Sequence, residues 1–172
     1  HRPADAQGPA AGHGVSIDIR VGTGVDVHGY DPGAPLRLAG LDWPGEPGLS
    51  GHSDGDAVCH AVVDALLSAA GLGDIGGLVG VDRPETAGAA STEFVRIAVE
   101  RLAAAGWRPV NVSVQLVARR PKLAPRRAEA EATLSELVGA PVSLGATTTD
   151  GLGFTGRGEG VAAIATALIA RA

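Results

Sequence analysis

Along residues 16–170 the apolar pattern keeps switching period, and that switching bounds the fold before any single residue is weighed. SIDIRVG, Ser16 to Gly22, alternates as a half-buried strand does, and Thr23 to His28 continues it in extended or looping form. Repeated Pro and Gly from Pro32 to Gly48 leave room only for a short strand near Leu36 to Leu38. DAVCHAVVDALLSAA then carries helical spacing; Ser53 with Asp56 three residues on resembles a capping box, and Gly71 is placed to stop the helix expected over Asp56 to Ala70. A second helix is expected from Thr92 to Ala105, opened by Ser91 and closed by Gly106. A strand over Asn111 to Ala118, a helix over Pro125 to Leu137 stopped at Gly139, and a strand over Val142 to Ala146 follow. Gly160 to Ala170 stays open between helix, favoured by its alanines, and strand, favoured by Val161, Ile164 and Ile169. Strands alternating with helices indicate an α/β or α+β domain of two layers, sheet on one side and helices on the other.

At 172 residues and 45% hydrophobic content the chain can bury one ordinary core, so residues 16–172 are expected to form a single domain. Residues 1–15, rich in Pro, Ala and Gly, look like a leader, a tag or the tail of a linker from a larger protein. No run approaches the roughly 20 apolar residues of a membrane helix, and the start lacks a secretory signal, so a soluble cytoplasmic protein is expected. The single cysteine, Cys59, excludes an internal disulfide and reads best as a small buried apolar residue. A net charge of −5 with scattered basic residues gives no footprint for nucleic acid or an anionic membrane.

Asp26 and His28 are two apart, so on an extended segment both side chains leave one face and can converge on one ion. His60 lies on the first expected helix with Asp56 one turn before and Asp64 one turn after, either of which could orient its imidazole. One carboxylate and two imidazoles leave an open position, as catalytic zinc sites do; the alternative is a surface strand end and a hydrogen-bonded core histidine. His52, Ser53, Asp54 and Asp56 crowd the start of the same helix, where unpaired N–H groups suit a phosphate, although Ser53 serves equally as a cap. Asp74 in GDIGG and the run Thr147, Thr148, Thr149, Asp150 add hydroxyls and carboxylates in loops, and adjacent threonines are also ordinary strand formers. TGRGEG places Arg157 and Glu159 between glycines but matches neither a P-loop nor a dinucleotide fingerprint. Lys122, the one lysine, follows Pro121 at a strand end, placed either to reach a ligand phosphate or to sit in solvent.

DVH, HSDGDxxxH, LGDIG, RPK, TTTD and GFTGRGEG occur in an order and spacing that resemble the 2-C-methyl-D-erythritol 2,4-cyclodiphosphate synthase family over about Ile19 to Ala170. The resemblance implies a mixed-sheet α+β fold with helices on one face, assembled as a homotrimer with active sites between subunits. It implies conversion of 4-diphosphocytidyl-2-C-methyl-D-erythritol 2-phosphate to the cyclic diphosphate with release of CMP. Asp26, His28 and His60 would bind zinc or another divalent ion, and Asp150 a second ion, magnesium or manganese. His52, Ser53, Asp74 and Gly76 would meet the methylerythritol phosphate end. Ala118, Pro121, Lys122, Leu123, Ala124, Ala146, Thr147 and Thr148 would form the cytidine diphosphate pocket, and Thr149 would also contact the substrate. His52 and Thr148 are expected to stabilise the transition state. Phe154, Arg157 and Glu159 would lie near the three-fold axis, where relatives can hold an isoprenoid diphosphate. Three departures stand out: Asp150 where many relatives carry Glu, VGVDRP from Val79 to Pro84 where others read FPDTDP, and Ala87 and Ala90 where KGADS is frequent. A non-catalytic isoprenoid-diphosphate sensor would release no CMP, and a phosphatase-like hydrolase would give a linear product.

Overall fold

The computed structural model describes residues 14, 16–79 and 90–172. The expected leader, Ala87 and all but the first residue of the loop from Val79 to Pro84 lie outside them. The strand expected from Ser16 runs as β1, Ile19–Asp31, and the short strand near Leu36 is β2, Leu36–Leu38. Two strands too short for a periodic signal follow, β3 at Leu41–Trp43 and β4 at Gly48–Leu49. The helices are α1, Ala57–Ala70; α2, Ile75–Val79; and α3, Ser91–Ala104. Strand β5, Trp107–Val117, leads through a 3-10 turn at Ala124–Arg126 into α4, Arg127–Val138. The chain ends with β6, Val142–Thr147; a single turn, α5, at Gly153–Gly156; and β7, Gly160–Arg171.

The fold is mixed α+β. Five strands form one sheet in the order β4-β1-β7-β5-β6, antiparallel except for the β5–β6 pair, and β2 and β3 form a separate hairpin. The segment left open, Gly160 to Ala170, is a strand. It lies between β1 and β5, so its backbone groups find partners on both sides, and that tertiary pairing overrides the helical preference of its alanines. Gly24, Ala165, Val114 and Leu144 form one buried cross-strand row on the helix side, while Val25 and Ile164 on the opposite face are 57% and 40% exposed.

Two glycines let the main helix lie against β1. A Cβ at Gly22 would come within 2.2 Å of the Ala65 carbonyl oxygen, and one at Gly24 within 2.1 Å of that of Ala61. The helix that rests there is buried nearly all round, as a core helix is. It begins at Asp56 and not at Ser53, correcting the expected cap: Asp56 accepts from the Cys59 N–H at 3.1 Å, and also from the N–H groups of Ala39 and Gly40 at 2.9 and 2.8 Å. One fully buried carboxylate thus ties the β2–β3 turn to the helix start. Gly71 ends the helix in left-handed conformation, as expected. Ser91 is the first residue inside α3, not its cap; Ala90 takes that position and its methyl group can make no capping bond, while the Ser91 hydroxyl is engaged elsewhere. Cys59 is buried and free, and burial pushes its thiol up. No helix of the described residues is long and apolar enough to cross a membrane.

Candidate active site

Beyond Gly24 the same face of β1 carries Asp26, His28 and Tyr30, each half-buried. Since Gly24 packs on α1 near Ala61, the next residues on that face pass the first turn of the helix, where His60 sits. Asp26 Oδ2 lies 2.6 Å from His28 Nε2 and 3.4 Å from His60 Nδ1, and the two imidazole nitrogens are 3.2 Å apart. About 3.3–3.5 Å separates neighbouring ligand atoms around a tetrahedral ion bound at about 2.0–2.2 Å; the 3.2 and 3.4 Å spacings match this, and Asp26 Oδ2 and His28 Nε2, at 2.6 Å, would part by a fraction of an ångström around a small divalent cation. Asp26 Oδ2 is buried yet accepts no hydrogen bond of sound geometry among the described residues, which is the state of an oxygen that a cation would satisfy. The Ser50 carbonyl, which can only accept, stands 2.6 Å from His28 Nδ1; the proton is therefore on Nδ1 and the lone pair of Nε2 faces the centre. Burial pushes the Asp26 carboxyl up, but the close approach of the His28 and His60 imidazoles outweighs it and holds it below its ordinary value. Burial likewise pulls the His28 imidazole down, and Asp26 and Ser50 together raise it above the usual value.

Neither Asp56 nor Asp64 orients His60, contrary to the expectation from helical spacing. Asp56 is spent on the backbone groups described above, and Asp64 accepts from the Ile75 N–H at 2.8 Å, anchoring α2. His60 Nε2 instead meets Ser91 Oγ at 2.7 Å and Ser53 Oγ at 3.1 Å. Ser91 in turn contacts Asp54 through both its hydroxyl and its N–H.

A second centre forms where β5 and β6 end. A cavity of about 190 Å³ brings together all eight residues expected for cytidine, from Ala118, Pro121 and Lys122 through Leu123 and Ala124 to Ala146, Thr147 and Thr148. It adjoins a groove of about 730 Å³ lined by Tyr30, Asp150 and Arg157 among others, and Arg119, Lys122 and Thr148 line both. Four cations face this groove. Arg120 is paired with Glu46 at 2.9 Å and Arg157 with Glu159 at 3.1 Å, whereas Arg119 and Lys122 make no ion pair among the described residues. The Tyr30 hydroxyl donates to the Arg120 carbonyl at 2.8 Å and so links the end of β1 to this wall. Asp26 and Ala146 belong to one cross-strand row, through Ala163 and Leu116, which puts them three strand spacings or about 14 Å apart.

A model of the YgbB family matches residues 19–170. The chain belongs to the YgbB family. The motif resemblance drawn from the sequence is borne out by its relatives. One is the 2-C-methyl-D-erythritol 2,4-cyclodiphosphate synthase of Cutibacterium acnes, 58% identical over 156 residues that make up 90% of this chain and 93% of the relative. Another is a bifunctional enzyme IspD/IspF of Clavibacter michiganensis, 66% identical over 157 residues, or 91% of this chain but 38% of the relative; the chain spans about two fifths of that protein. A solved 2C-methyl-D-erythritol-2,4-cyclodiphosphate synthase structure, in a CDP-bound form, superposes with a TM-score of 0.79 at 40% identity, covering 87% of this chain and 99% of that one.

In this YgbB-family chain Asp26, His28 and His60 are, among the described residues, the only cluster of three side chains suited to a metal. Asp150 stands apart from them on the groove, in left-handed conformation, with the Thr148 hydroxyl 3.4 Å away. Thr149 turns inward to bond Thr155 at 2.9 Å and the Leu152 carbonyl at 2.6 Å, and it lines neither cavity. His52 is exposed in the bend before Ser53. Asp74 accepts from the Gly77 N–H at 2.9 Å, and Gly76 lies within α2; none of these three lines the cavity or the groove. Phe154 is 38% exposed on α5. Three residues escaped sequence reasoning as site members: Tyr30, whose signal was its place two beyond His28 on the same strand face; Arg119, adjacent to the Arg-Pro-Lys motif; and Ser91, read only as the opening of a helix; Asp54 was read in the HSDGD cluster as part of a phosphate site, and its pairing with Ser91 is purely tertiary.

Proposed function

We propose that residues 16–172 act as one cyclodiphosphate synthase domain, converting 4-diphosphocytidyl-2-C-methyl-D-erythritol 2-phosphate to 2-C-methyl-D-erythritol 2,4-cyclodiphosphate and CMP. The observation that carries this reading is the convergence of three donor atoms from β1 and α1 at the same end of the sheet as the cavity beside Lys122. Asp26, His28 and His60 would hold zinc or another divalent ion, and Asp150 magnesium or manganese, which would supply charge neutralisation to the phosphates; an oxygen of the 2-phosphate attacks the β-phosphorus and CMP leaves in line. Lys122 and Arg119 bind the cytidylyl diphosphate, because they are the cations of the groove without a partner carboxylate among the described residues. The Ala118 and Ala146 walls leave room for the cytosine ring. His52 and Ser53 contact the methylerythritol phosphate end, with Asp74 and Gly76, and His52 and Thr148 donate hydrogen bonds that strengthen as charge shifts. Catalysis is then mainly positioning and charge stabilisation, without a covalent enzyme intermediate.

The same reading includes a homotrimer with each site between two subunits. It is supported by the 14 Å offset of the two centres within one chain, about as estimated from strand spacing. It is supported also by the apolar outer face of β1 and β7, where Val21, Val25, Val27 and Ile164 stand exposed for a second copy to cover. Phe154, Arg157 and Glu159 would approach the axis and could meet an isoprenoid diphosphate. Asp150 would hold its ion on a side chain one methylene shorter than Glu, a difference that bears on metal preference. The test is incubation with the cytidylyl substrate and a divalent metal, with phosphorus NMR of the products. Cyclic diphosphate and CMP in equal amounts are expected; a linear product would make the protein a hydrolase, and no turnover in any metal would sink the reading.

A further inference from the structure

A metal on this triad requires a lone pair on one particular nitrogen of His60. Nδ1 faces Asp26 and His28, while Nε2 faces the hydroxyls of Ser91 and Ser53. Ser91 is fully buried at the start of α3, and its one hydroxyl hydrogen has two candidate acceptors, His60 Nε2 and Asp54 Oδ1. An ionised carboxylate only accepts. The other Asp54 oxygen receives the Ser91 backbone N–H at 2.9 Å and lies 3.9 Å from Arg37 Nε, so donors face both oxygens. The hydroxyl hydrogen therefore goes to Asp54. The 2.7 Å approach of Ser91 Oγ to the imidazole must then be bridged by a hydrogen of the ring, which puts the proton on Nε2 and leaves the Nδ1 lone pair aimed at the centre. Ser53 Oγ, at 3.1 Å, is a second acceptor for the same proton.

We propose that Asp54 and Ser91 form a positioning relay that fixes the His60 tautomer required for metal binding; this rests on the metal reading of the triad. Neither residue acts on substrate or ion directly, and both act through His60. His28 reaches the same end by other means, since the Ser50 carbonyl that holds its Nδ1 proton belongs to the backbone. One ligand is thus locked by a group that no substitution deletes, and the other by a side-chain relay that a single atom can reverse.

Asp54→Asn makes that reversal at nearly constant volume. Two backbone donors compete for the amide oxygen, the Ser91 N–H at 2.9 Å and the Asp56 N–H, which meets the other carboxylate oxygen at 3.2 Å; the closer Ser91 N–H, on the side where Arg37 also stands, claims it, so the amide NH2 turns toward Ser91 Oγ. The hydroxyl then donates to Nε2, and the His60 proton moves to Nδ1, where the metal would sit. Metal-free protein is examined by nitrogen-15 histidine NMR at a pH where the imidazoles are neutral, and zinc affinity by chelator competition, with circular dichroism reporting the fold. In wild type His60 should be the Nε2–H tautomer; in Asp54→Asn it should become Nδ1–H, with zinc binding weaker by about 10- to 100-fold. Ser91→Ala removes the relay but leaves Ser53 as an acceptor, so a loss of roughly 10-fold or less is expected. A wild type that binds no zinc removes the metal reading and the relay together. A wild type that binds zinc while both variants stay within about two-fold of it, or an Asp54→Asn protein that keeps Nε2–H, overturns the relay alone. If Asp54→Asn does not fold, Ser91→Ala decides by the same criterion: a measurable loss supports the relay and unchanged affinity overturns it.

Discussion

Asp26, His28 and His60 are held by a strand and a helix whose backbones touch, whereas the cavity beside Lys122 is walled by the last residues of β6 and the segment that follows β5. The first region has its polar groups committed before any ligand arrives: each imidazole has a partner for the nitrogen that faces away from the centre. The second leaves Arg119 and Lys122 exposed and unpaired among the described residues, while neighbouring Arg120 and Arg157 already have glutamates. A rigid region of this kind specifies geometry, and an open one supplies charge that a ligand completes. Substitutions in the triad should accordingly abolish function, and those in the cleft should weaken binding while leaving the chemistry intact.

The largest effect is expected of His60→Ala. It removes the one triad ligand contributed by α1, so zinc content should fall to background and cyclase turnover by on the order of 10³-fold, with the circular dichroism spectrum retained. Turnover within about ten-fold of wild type would dissolve the contrast between the two regions. Gly24→Ala attacks the same region from the backbone side. Its Cβ would meet Ala61 O at 2.1 Å and Ala65 N at 2.6 Å, both main-chain atoms, so α1 must shift and His60 with it. Overpacking of this sort costs roughly 1–3 kcal/mol, which for a chain of this size lowers Tm by about 3–10 °C. Weaker zinc binding should accompany that loss, and unchanged Tm would show that the close contact of β1 and α1 is not what holds the ligands.

Those glycines also mark how far the sequence can be read. DVH and the histidine of HSDGDxxxH were legible because a period of two and a capped helix state which side chains share a face. Most elements emerged for the same reason. β3, β4, α2 and α5 did not, since two to five residues are too few to show a period. β7 was ambiguous because alanine has little preference once both neighbouring strands offer hydrogen bonds. The partners of His60 were misread for a different reason: Asp56 and Asp64 sit one turn away on the helix, but each answers backbone N–H groups from other segments. Spacing along one element cannot report a hydroxyl delivered from α3, 31 residues on.

Lys122→Ala sharpens the comparison from the open side. Lys122 is exposed and lines both cavity and groove, so its loss should raise KM for the cytidylyl substrate by roughly ten-fold, as a charge-assisted contact of about 1.5 kcal/mol would. Zinc affinity and Tm should not move. A fall in zinc content on this substitution would mean that the two regions are coupled within one chain and that the division drawn above is wrong.

The smallest effect is one of pH, and it separates the regions without changing the cleft. Asp26 is held below its ordinary value: burial opposes this, and His28 and His60 prevail. The stability it contributes is present above the ordinary carboxylate pKa and is lost as pH falls through the lowered one. His28 is held above its ordinary value by Asp26 and Ser50 against burial. Its contribution is complete below the ordinary imidazole pKa and is lost as pH rises through the raised one. In metal-free protein both act together between roughly pH 4 and 6.5, so Tm should be highest there and decline by a few degrees on the alkaline side. Zinc needs the same imidazole unprotonated, so the rise in Tm that zinc produces should grow over the pH range where the metal-free protein declines. Scanning fluorimetry with and without zinc measures both trends. Lys122→Ala should leave the two curves in place, whereas His28→Ala should flatten them. Curves that keep their shape without His28 would assign the pH response to some other group and leave the pre-set geometry of the triad without its thermodynamic signature.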